Sequence, residues 1–285
     1  MCIRDRRYGI PEYRLPYDQL DKDIEYIKNT GVVIRLDVTV GQDVTLDNLH
    51  KDYDMVFAAT GLHFGRSTRV KGSDHPDVYQ AITLLRDVTK GLEIPHKKKI
   101  IVIGGGNVAM DIARTLARLQ MRDYGKVDIV LTCLETEDIM PADAEEIIES
   151  REEGIVIMPG FGPVEVQYEN KHIKGLQIVK CISVFDETGR FNPKFETDEQ
   201  KFIPADMIIE AIGQGMDLSY IPDTIKSELQ TDVRSRIAID AYYQTSLPWL
   251  FMGGDIVEGP DVIHAIANGH RAAKRIDEIL RGKNE

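Results

Sequence analysis

A run of three glycines between an apolar segment and a helical pattern constrains the fold of this chain more than any other feature. The run lies in "KIIVIGGGNVAMDIART" (residues 99–115), where Ile100–Ile103 precede the glycines and residues with helical spacing follow. Gly104, Gly106 and Ala109 match the spacing G-x-G-x-x-A. In a dinucleotide-binding fold the first glycine permits a tight turn, the second lets a pyrophosphate approach the backbone, and the third small residue lets helix and strand pack closely. The spacing predicts a dinucleotide-binding turn, and the alternative is a turn that backbone geometry alone requires.

The residues around the glycines complete a βαβ pattern. Residues 100–103 are predicted as a strand, residues 108–121 as a helix and residues 127–133 as a second strand. The first N–H groups of such a helix point back at the turn, where the helix dipole also favours negative charge. We therefore expect Gly105, Asn107 and Val108 to lie against the phosphates of a bound nucleotide beside Gly104 and Gly106, with Ala109 completing the cofactor-binding motif by letting the helix pack closely on the strand.

Glu135 is the first acidic residue after the second predicted strand, in "DIVLTCLETED" (residues 128–138). A carboxylate at this place accepts hydrogen bonds from the hydroxyls of an adenosine ribose. A 2′-phosphate would meet Glu135 and Glu137, and one like-charge pair at about 4 Å costs about 4 kcal/mol at an effective dielectric of 20. The next arginine is Arg151. The pattern favours NAD over NADP, and the alternative is that Glu135 is only a solvated loop acid.

Composition limits the partners and the compartment of the chain. Its 285 residues include 35 basic and 47 acidic side chains, a formal net charge of −12, which argues against nucleic acid and anionic membranes as partners. Cys2, Cys133 and Cys181 are too far apart in sequence for a CxxC pair and indicate a reducing, cytoplasmic compartment. No apolar run approaches the roughly 18 to 20 residues that span a bilayer, so we expect no membrane insertion.

The remaining apolar patterns alternate between strands and helices. Two of the predicted strands, around "MVFAATG" and "MIIEAIG", close on a small residue and a glycine in the same way, which suggests two similar domains. A polar stretch with a proline, residues 94–99, is predicted as a linker between domains. These two strands span residues 53–61 and 204–214. The other predictions are helices over residues 18–30, 78–89, 141–154 and 261–280, strands over residues 32–40 and 247–255, and short strands of mixed character over residues 155–160, 164–169 and 173–185.

Seven motifs spread along the chain together resemble one known family, that of the small (beta) subunit of glutamate synthase, whose FAD and pyridine-nucleotide module also occurs in dihydropyrimidine dehydrogenase. The motifs run in the family's order from residue 7 almost to the end of the chain. They are "RYGIPEYRLP" (7–16), "FAATG" (57–61), "VIGGGNVAMDIAR" (102–114), "MPADAEEI" (140–147), "EEGI" (152–155), "AIGQ" (211–214) and "GGDIVEGPDVIHAIANGHRAA" (253–273).

The resemblance implies an α/β fold with two dinucleotide-binding, Rossmann-like domains, the NAD(P) domain being inserted in an incomplete FAD domain. By this analogy residues 1–95 and 215–285 form the FAD domain, and residues 96–214 form the NAD(P) domain. In the family a first glycine-rich turn for FAD and a cysteine-rich iron–sulfur segment precede "RYGIPE". We therefore expect that this chain is a C-terminal fragment of a longer protein.

The same resemblance implies further cofactor-binding residues. Thr60 and Gly61 would lie beside the FAD dinucleotide, and Gly213 near the nicotinamide. Gly254 and Asp255 follow a predicted strand, and Asp255 would hydrogen-bond the ribityl chain of FAD. Taken alone, Asp255 is equally well explained as a turn aspartate that caps a loop. The start of the last helix, at Asp261, Val262 and Ile263, would face the flavin pyrimidine ring, where the helix dipole stabilises negative charge.

The activity that the resemblance implies is hydride transfer from NAD(P)H to FAD, followed by electron transfer to an iron–sulfur or flavin partner. In such a reaction the cofactors carry the chemistry, so no catalytic side chain is nominated. His264 and His270 lack an evident third ligand, so we expect no metal site. Family members that prefer NADPH carry arginines where this chain has Glu135 and Glu137, which also favours NAD. The competing hypothesis is a non-catalytic nucleotide-binding or assembly subunit with an incomplete FAD site.

Overall fold

The computed structural model describes residues 7–232, 236–259 and 262–282. Helices and strands alternate between Val78 and Pro159. In chain order they are α1 Tyr17–Lys28, α2 Leu46–Asp52, β1 Val56–Ala58, β2 Leu62–Gly65, β3 Val78–Gln80, α3 Ala81–Thr89, β4 Ile100–Ile103, α4 Asn107–Tyr124, β5 Ile129–Cys133, α5 Ala144–Glu152, β6 Val156–Pro159, β7 Phe161–Glu169, β8 His172–Phe185, β9 Phe191–Pro204, β10 Met207–Glu210, β11 Gln214–Met216, α6 Asp223–Glu228, β12 Leu250–Met252 and α7 Val262–Gly282.

The chain folds into two compact units. The second unit contains Tyr8–Arg14 and Gly65–Gly215, whereas Leu15–Phe64 and the described residues from Met216 onward belong to the first. The resemblance to the family predicts that the long segment of the second unit begins at residue 96, whereas in the structure it begins at Gly65. Residues 65–95 join the second unit because β3 pairs in parallel with β10 and because Leu84 and Leu85 of α3 are buried in the same core. The predicted helix over residues 78–89 is therefore a strand followed by a helix.

A five-stranded parallel sheet, in the order β3-β10-β4-β5-β6, forms the centre of the second unit. All four residues of β4 are buried. Val102 faces a core shared with Met110 and Leu116 of α4, and Ile101 faces a separate core shared with Leu176 of β8. Because both faces are covered, β4 reads as a continuous apolar run rather than an alternating one.

A three-stranded antiparallel sheet, β7-β8-β9, covers one face of the parallel sheet. Strands β8 and β9 are each 14 residues long, and the strand predicted over residues 173–185 covers nearly all of β8. No sequence pattern predicts β9, because most of its residues are exposed and its composition is polar. It is a strand because it pairs with β8.

The predicted linker, residues 94–99, belongs to the second unit. Ile94 is buried in the core, and Gln120 of α4 donates through Nε2 to the carbonyl oxygen of Lys97 at 2.7 Å. The Tyr124 hydroxyl donates to the carbonyl oxygen of His96 at 3.0 Å. These contacts fix the polar segment to α4, so the linker prediction is wrong.

The first unit is built around the parallel pair of strands β1 and β12. Leu250 and Met252 of β12 pack in one core with Leu46, at the start of α2, and Ile225 of α6. On the other side Phe251 packs with Tyr243 and with Ala272 of α7.

Residues 32–40, predicted as a strand, contain no strand in the structure; their one ladder contact is an isolated bridge between Val40 and Val44. Val33 is 80% and Leu36 78% exposed, and Asp37 has a φ of +57°. The alternating pattern is present, but within the described chain no neighbouring strand pairs with it, and a strand needs such a partner for its N–H and C=O groups.

Candidate functional site

The glycine turn at the carboxyl end of β4 is closed by the neighbouring strand. Gly104 has a φ of +142°, and a Cβ atom there would collide with the carbonyl oxygen of Ala211, which follows β10. The two strands also share a hydrogen bond from the Ala211 N–H to the carbonyl oxygen of Ile103, at 2.8 Å. Gly104 is therefore required by the close approach of two parallel strands.

Gly106 has a different environment. Its φ is −97°, and the nearest atom to a Cβ built on it is Cγ of Pro141, at 3.9 Å, so nothing in the protein requires a glycine here. Gly106 is the N-cap of α4; no side chain caps this helix and its first turn contains no acidic residue. The open space and the uncapped N-terminus form a cradle that a pyrophosphate fits.

The predicted residues after Gly106 differ in what their side chains contact. Ala109 is completely buried in the core, as the third small residue of the motif should be, and Val108 packs partly against the same core. The Asn107 side chain is engaged by Asp143: its Nδ2 donates to the carboxylate at 2.9 Å and its Oδ1 accepts from the backbone N–H of Asp143 at 2.9 Å. Both polar atoms of the Asn107 side chain are therefore engaged within the protein.

The segment before α5 braces the turn, a contact that sequence reasoning missed. The Ala142 N–H donates to the carbonyl oxygen of Gly105 at 3.0 Å, next to the pair between Asn107 and Asp143. The motif "MPADAEEI" contains both bracing residues, but nothing in its spacing indicates which element it contacts.

Glu135 lies beside the glycine turn, as its place after β5 predicts. A Cβ atom built on Gly105 would be 3.2 Å from Oε2 of Glu135 and 3.0 Å from Cβ of Cys133. The main chain of Glu135 is held by the Gly160 N–H, which donates to its carbonyl oxygen at 2.8 Å. Burial, and after it the Glu135 carboxylate, raises the pKa of the Cys133 thiol to about 12, so Cys133 is an inert thiol.

Glu137 is paired rather than free to face a ligand. Arg151 of α5 lies 2.8 Å from its carboxylate, and this contact lowers the pKa of Glu137. From the sequence, we expect both Glu135 and Glu137 to repel a 2′-phosphate, and Arg151, 14 residues after Glu137, is not expected to neutralise either of them. The fold brings Arg151 back to the loop, so the negative charge beside the turn comes from Glu135.

The carboxyl end of β10 carries Gly213 and a residue that the sequence analysis did not single out. Gly213 has a φ of +102°, no atom lies within 4 Å of a Cβ built on it, and its carbonyl oxygen accepts from the Arg66 N–H at 3.0 Å. Glu210, the last residue of β10, is only 2% exposed and accepts hydrogen bonds from Thr68 and Gln80. The sequence feature that could have indicated a buried carboxylate at Glu210 is a charged residue inside the apolar run "MIIEAIG".

The first unit brings four predicted residues to one end of its parallel pair of strands. Thr60 and Gly61 follow β1, and Gly254 and Asp255 follow β12. Gly61 and Gly254 both have a φ of +73°, a conformation that favours glycine. Burial raises the pKa of Tyr220, and the neighbouring Thr60 hydroxyl opposes this rise. Asp255 is 7% exposed within a short 3₁₀ turn.

Gly254 is held by a buried polar network that the sequence did not reveal. Its N–H donates to Oδ1 of Asn268 at 2.8 Å, and Nδ2 of the same amide donates to Tyr243 and to Glu258, each at 2.8 Å. Asn268 is 1% exposed, and Tyr243 has a φ of +66°. Residues 254–258 are thus fixed to α7.

The start of α7 was predicted to include three site residues. The helix begins at Val262, and the Ile263 side chain is 77% exposed. Asp261 lies outside the described residues.

A parallel sheet whose central strand leads through a glycine turn into an uncapped helix defines a nucleotide-binding unit of the Rossmann class. Comparison with known families agrees with this geometry. Residues 7–272 match the family model described as pyridine nucleotide-disulphide oxidoreductase. The chain belongs to this family, whose cofactors are FAD and NAD(P)H.

The resemblance to the glutamate synthase small subunit and to dihydropyrimidine dehydrogenase is confirmed by three relatives. The chain is 39% identical to the NADP(+)-dependent formate dehydrogenase subunit beta of Moorella thermoacetica, a match covering 96% of this chain and 38% of that protein. It is 30% identical to the glutamate synthase [NADPH] small chain of Escherichia coli K12, covering 94% and 59%. It is 33% identical to the NAD-dependent dihydropyrimidine dehydrogenase subunit PreT of Escherichia coli O157:H7, covering 97% and 60%. The chain thus spans about 40 to 60% of each relative's length.

The predicted α/β, Rossmann-like fold class is confirmed by a solved structure. Mycobacterium tuberculosis FprA in complex with NADPH superposes with a TM-score of 0.78 at 16% identity, covering 98% of this chain and 76% of that one. Among the described residues, no helix is both long enough and apolar enough to cross a bilayer.

Proposed function

We propose that this chain is the FAD- and NAD(P)H-binding module of an oxidoreductase that passes electrons to an iron–sulfur or flavin partner. The observation that carries the proposal is the cradle at Gly106. No packing contact within the protein requires a glycine there, and no side chain caps the start of α4. The chemistry supplied by the bound cofactors is hydride transfer from the nicotinamide C4 atom to flavin N5. The protein supplies position and electrostatics.

The order of the parallel strands supports one placement of the dinucleotide. With the pyrophosphate at the start of α4, the adenosine ribose lies toward Glu135, at the end of β5. The nicotinamide then extends to the other side of β4, over the end of β10, where Glu210 and Gly213 lie. The strand order reverses between β4 and β10, and open α/β sheets bind their ligands at such a point.

Within this site the proposed electron donor is NADH rather than NADPH. Glu135 lies beside the turn with no described cation paired to it, and the nearby Arg151 is already paired with Glu137. A 2′-phosphate about 4 Å from the Glu135 carboxylate would be disfavoured by about 4 kcal/mol per unit-charge pair at an effective dielectric of 20. Relatives named for NAD and for NADP both occur, so this choice rests on Glu135 itself.

The first unit is the proposed FAD unit. Thr60, Gly61, Gly254 and Asp255 meet at the ends of paired parallel strands, the place where a dinucleotide binds such a sheet. The ribityl chain would be held by Asp255, and the flavin would lie against the start of α7 at Val262 and Ile263. The domain assignment follows: FAD with the first unit, NAD(P) with the second.

A nucleotide titration tests the central step. Gly106→Val adds a branched side chain to the cradle, where the nearest protein atom to its Cβ is Cγ of Pro141 at 3.9 Å, and the variant is expected to bind NADH at least tenfold more weakly than the wild type. Gly269→Val is the matched control, because a Cβ built on Gly269 of α7 has no described atom within 4 Å. The readout is NADH fluorescence, with bleaching of the flavin absorbance near 450 nm in protein reconstituted with FAD as a second measurement. Equal NADH affinity in both variants would remove the basis of the proposal, and NADH binding without flavin bleaching would favour a non-catalytic nucleotide-binding subunit.

A further inference from the structure

The buried carboxylate of Glu210 has an arrangement that the hydride-transfer function alone does not explain. It is 2% exposed, at the carboxyl end of β10, in register with Ile103 of β4 on one side and with Gln80 of β3 on the other. Glutamate is rarely buried to this extent unless it is paired. Glu210 therefore requires an account of its charge and of its partners.

All the hydrogen bonds to Glu210 are donated to it. One carboxylate oxygen accepts from the Thr68 N–H at 2.7 Å, the Thr68 hydroxyl at 2.5 Å and the Ser67 hydroxyl at 3.3 Å. The other accepts from Nε2 of Gln80 at 2.6 Å. This is the pattern that an ionised carboxylate takes, because it accepts only.

The charge of Glu210 has no counter-ion within the described part of the second unit. No ion pair between Glu210 and a lysine, arginine or histidine occurs among the described residues, and its four donors are neutral groups. Neutral donors stabilise the carboxylate, but they add no positive charge, so its negative electrostatic potential still extends into the surroundings. The opposite end of the same strand differs, because Asp206 there is only half-buried and faces the N–H of Lys99.

Glu210 lies close to the proposed position of the nicotinamide ring. It immediately precedes Ala211, whose carbonyl oxygen closes on Gly104 of the glycine turn, and it is three residues before Gly213. In the placement proposed above, on which this inference rests, the nicotinamide ring lies over this end of β10. The ring is neutral in NADH and NADPH, and it becomes a cation when it gives up a hydride, which carries two electrons and one proton to the flavin.

We propose that Glu210 makes the site discriminate between the redox states of the nucleotide, by holding an uncompensated negative charge beside the nicotinamide ring and so favouring the oxidised form. Such a charge makes the bound dihydronicotinamide a stronger hydride donor. Contacts to the ribose and the phosphates contribute equally to the binding of the oxidised and the reduced nucleotide, so they do not contribute to this discrimination. The ratio of the dissociation constants of NAD⁺ and NADH therefore isolates the effect.

The size of the effect follows from Coulomb attraction. Two unit charges about 10 Å apart at an effective dielectric of 20 change an affinity by on the order of tenfold. Glu210→Gln keeps the shape of the side chain and removes the charge. Its new N–H₂ group would face Nε2 of Gln80, and inversion of the Gln80 amide would bring Oε1, which has no partner among the described residues, into position to accept from that group.

The experiment is titration of the full chain with NADH and with NAD⁺, by fluorescence and by competition, without relying on turnover. Glu210→Gln is expected to raise the ratio of the NAD⁺ constant to the NADH constant by about tenfold. The matched control, Asp206→Asn, removes a half-exposed carboxylate from the other end of β10, about 13 Å away, and should change the ratio by no more than about threefold. Ser67→Lys, on an exposed segment, adds a cation beside Glu210 and should shift the ratio in the same direction as Glu210→Gln.

Each outcome decides the proposal. A raised ratio in Glu210→Gln, or in Ser67→Lys if the first variant does not fold, supports it. Equal weakening of both nucleotides, or an unchanged ratio in a folded variant, overturns it and leaves Glu210 a purely structural residue, while the proposed function stands. A wild-type chain that binds neither nucleotide overturns the proposed function and this inference with it.

Discussion

Nη1 of Arg14 lies 2.9 Å from one carboxylate oxygen of Asp111 and 3.0 Å from the other. Nε of the same guanidinium lies 2.7 Å from Glu146 of α5. Asp111, on α4, has a side chain only 4% exposed. The segment Tyr8–Arg14, which comes from the motif "RYGIPEYRLP", is therefore attached to both helices that border the glycine turn.

The two partners of this contact respond to burial in different ways. Desolvation dominates at Asp111 and raises its pKa to about 6, against the lowering effect of Arg14. Desolvation lowers the pKa of Arg14, but Asp111 and Glu146 together raise it by more. A carboxyl group whose pKa is higher in the folded than in the unfolded state stabilises the fold below its unfolded pKa of 3.8, and that stabilisation is lost as the pH rises through about 6.

Asp111→Asn should make the stability of the chain less sensitive to pH. Between pH 4.5 and pH 7 the wild type should lose about 2 kcal/mol relative to the variant, because only the wild type ionises a buried carboxyl group. Urea unfolding of both proteins at the two pH values measures the difference. Asp18→Asn, at an exposed carboxylate on α1, is the control and should show no such change. A constant difference between Asp111→Asn and wild type would mean that Arg14 fully compensates the charge.

The parts of the site that the sequence predicts are those made by neighbours along the chain. The turn at Gly104–Gly106, the helix that follows it and the place of Glu135 all lie within one βαβ unit, whose spacing is fixed by local geometry. Glu210 was not identified because its partner Thr68 is 142 residues away. Arg151 was discounted because the sequence separates it from Glu137, whereas the fold brings α5 back to that loop.

The parts of the fold that escaped prediction depend on partners rather than on pattern. Strand β9 has a polar sequence, "FNPKFETDEQKFIP", and is ordered by its long pairing with β8. Residues 32–40 have the alternation of a strand but no strand beside them in the described chain. Hydrophobic periodicity reports which face of an element is apolar, and it does not report whether another strand is present to pair with it.

Glu135→Arg should shift the nucleotide preference toward NADPH. Replacing a carboxylate with a guanidinium beside the ribose turns repulsion of a 2′-phosphate into attraction, so the NADPH to NADH affinity ratio should rise at least tenfold. Titration of both nucleotides measures the ratio. Glu187→Arg makes the same charge change at an exposed residue of the turn between β8 and β9 and should leave the ratio unaltered. Equal ratios in the two variants would show that Glu135 is a solvated loop acid.

Gly104→Ala and Gly106→Ala should separate stability from nucleotide binding. At Gly104 the φ of +142° and the collision with the Ala211 carbonyl oxygen should cost about 2 to 4 kcal/mol of unfolding free energy. At Gly106 the added methyl group meets nothing closer than 3.9 Å, so unfolding should change by less than about 1 kcal/mol while NADH binding weakens. Urea unfolding and NADH titration on both variants supply the comparison. A Gly106→Ala protein as unstable as Gly104→Ala would show that Gly106 is required by the fold and not by a ligand.

Asn268→Leu should affect the first unit alone. The substitution removes the buried acceptor of the Gly254 N–H, the buried donor to Tyr243 and a part-buried donor to Glu258, which should cost about 2 to 4 kcal/mol of stability. Because Gly254 and Asp255 are the proposed flavin contacts, FAD occupancy, measured by flavin absorbance after reconstitution, should fall, whereas NADH affinity should be retained. Asn48→Leu is the control, since Asn48 is an exposed residue of α2 whose backbone N–H, not its side chain, meets Thr45. Loss of NADH binding in Asn268→Leu at a temperature where the protein stays folded would contradict the assignment of the two nucleotides to separate units.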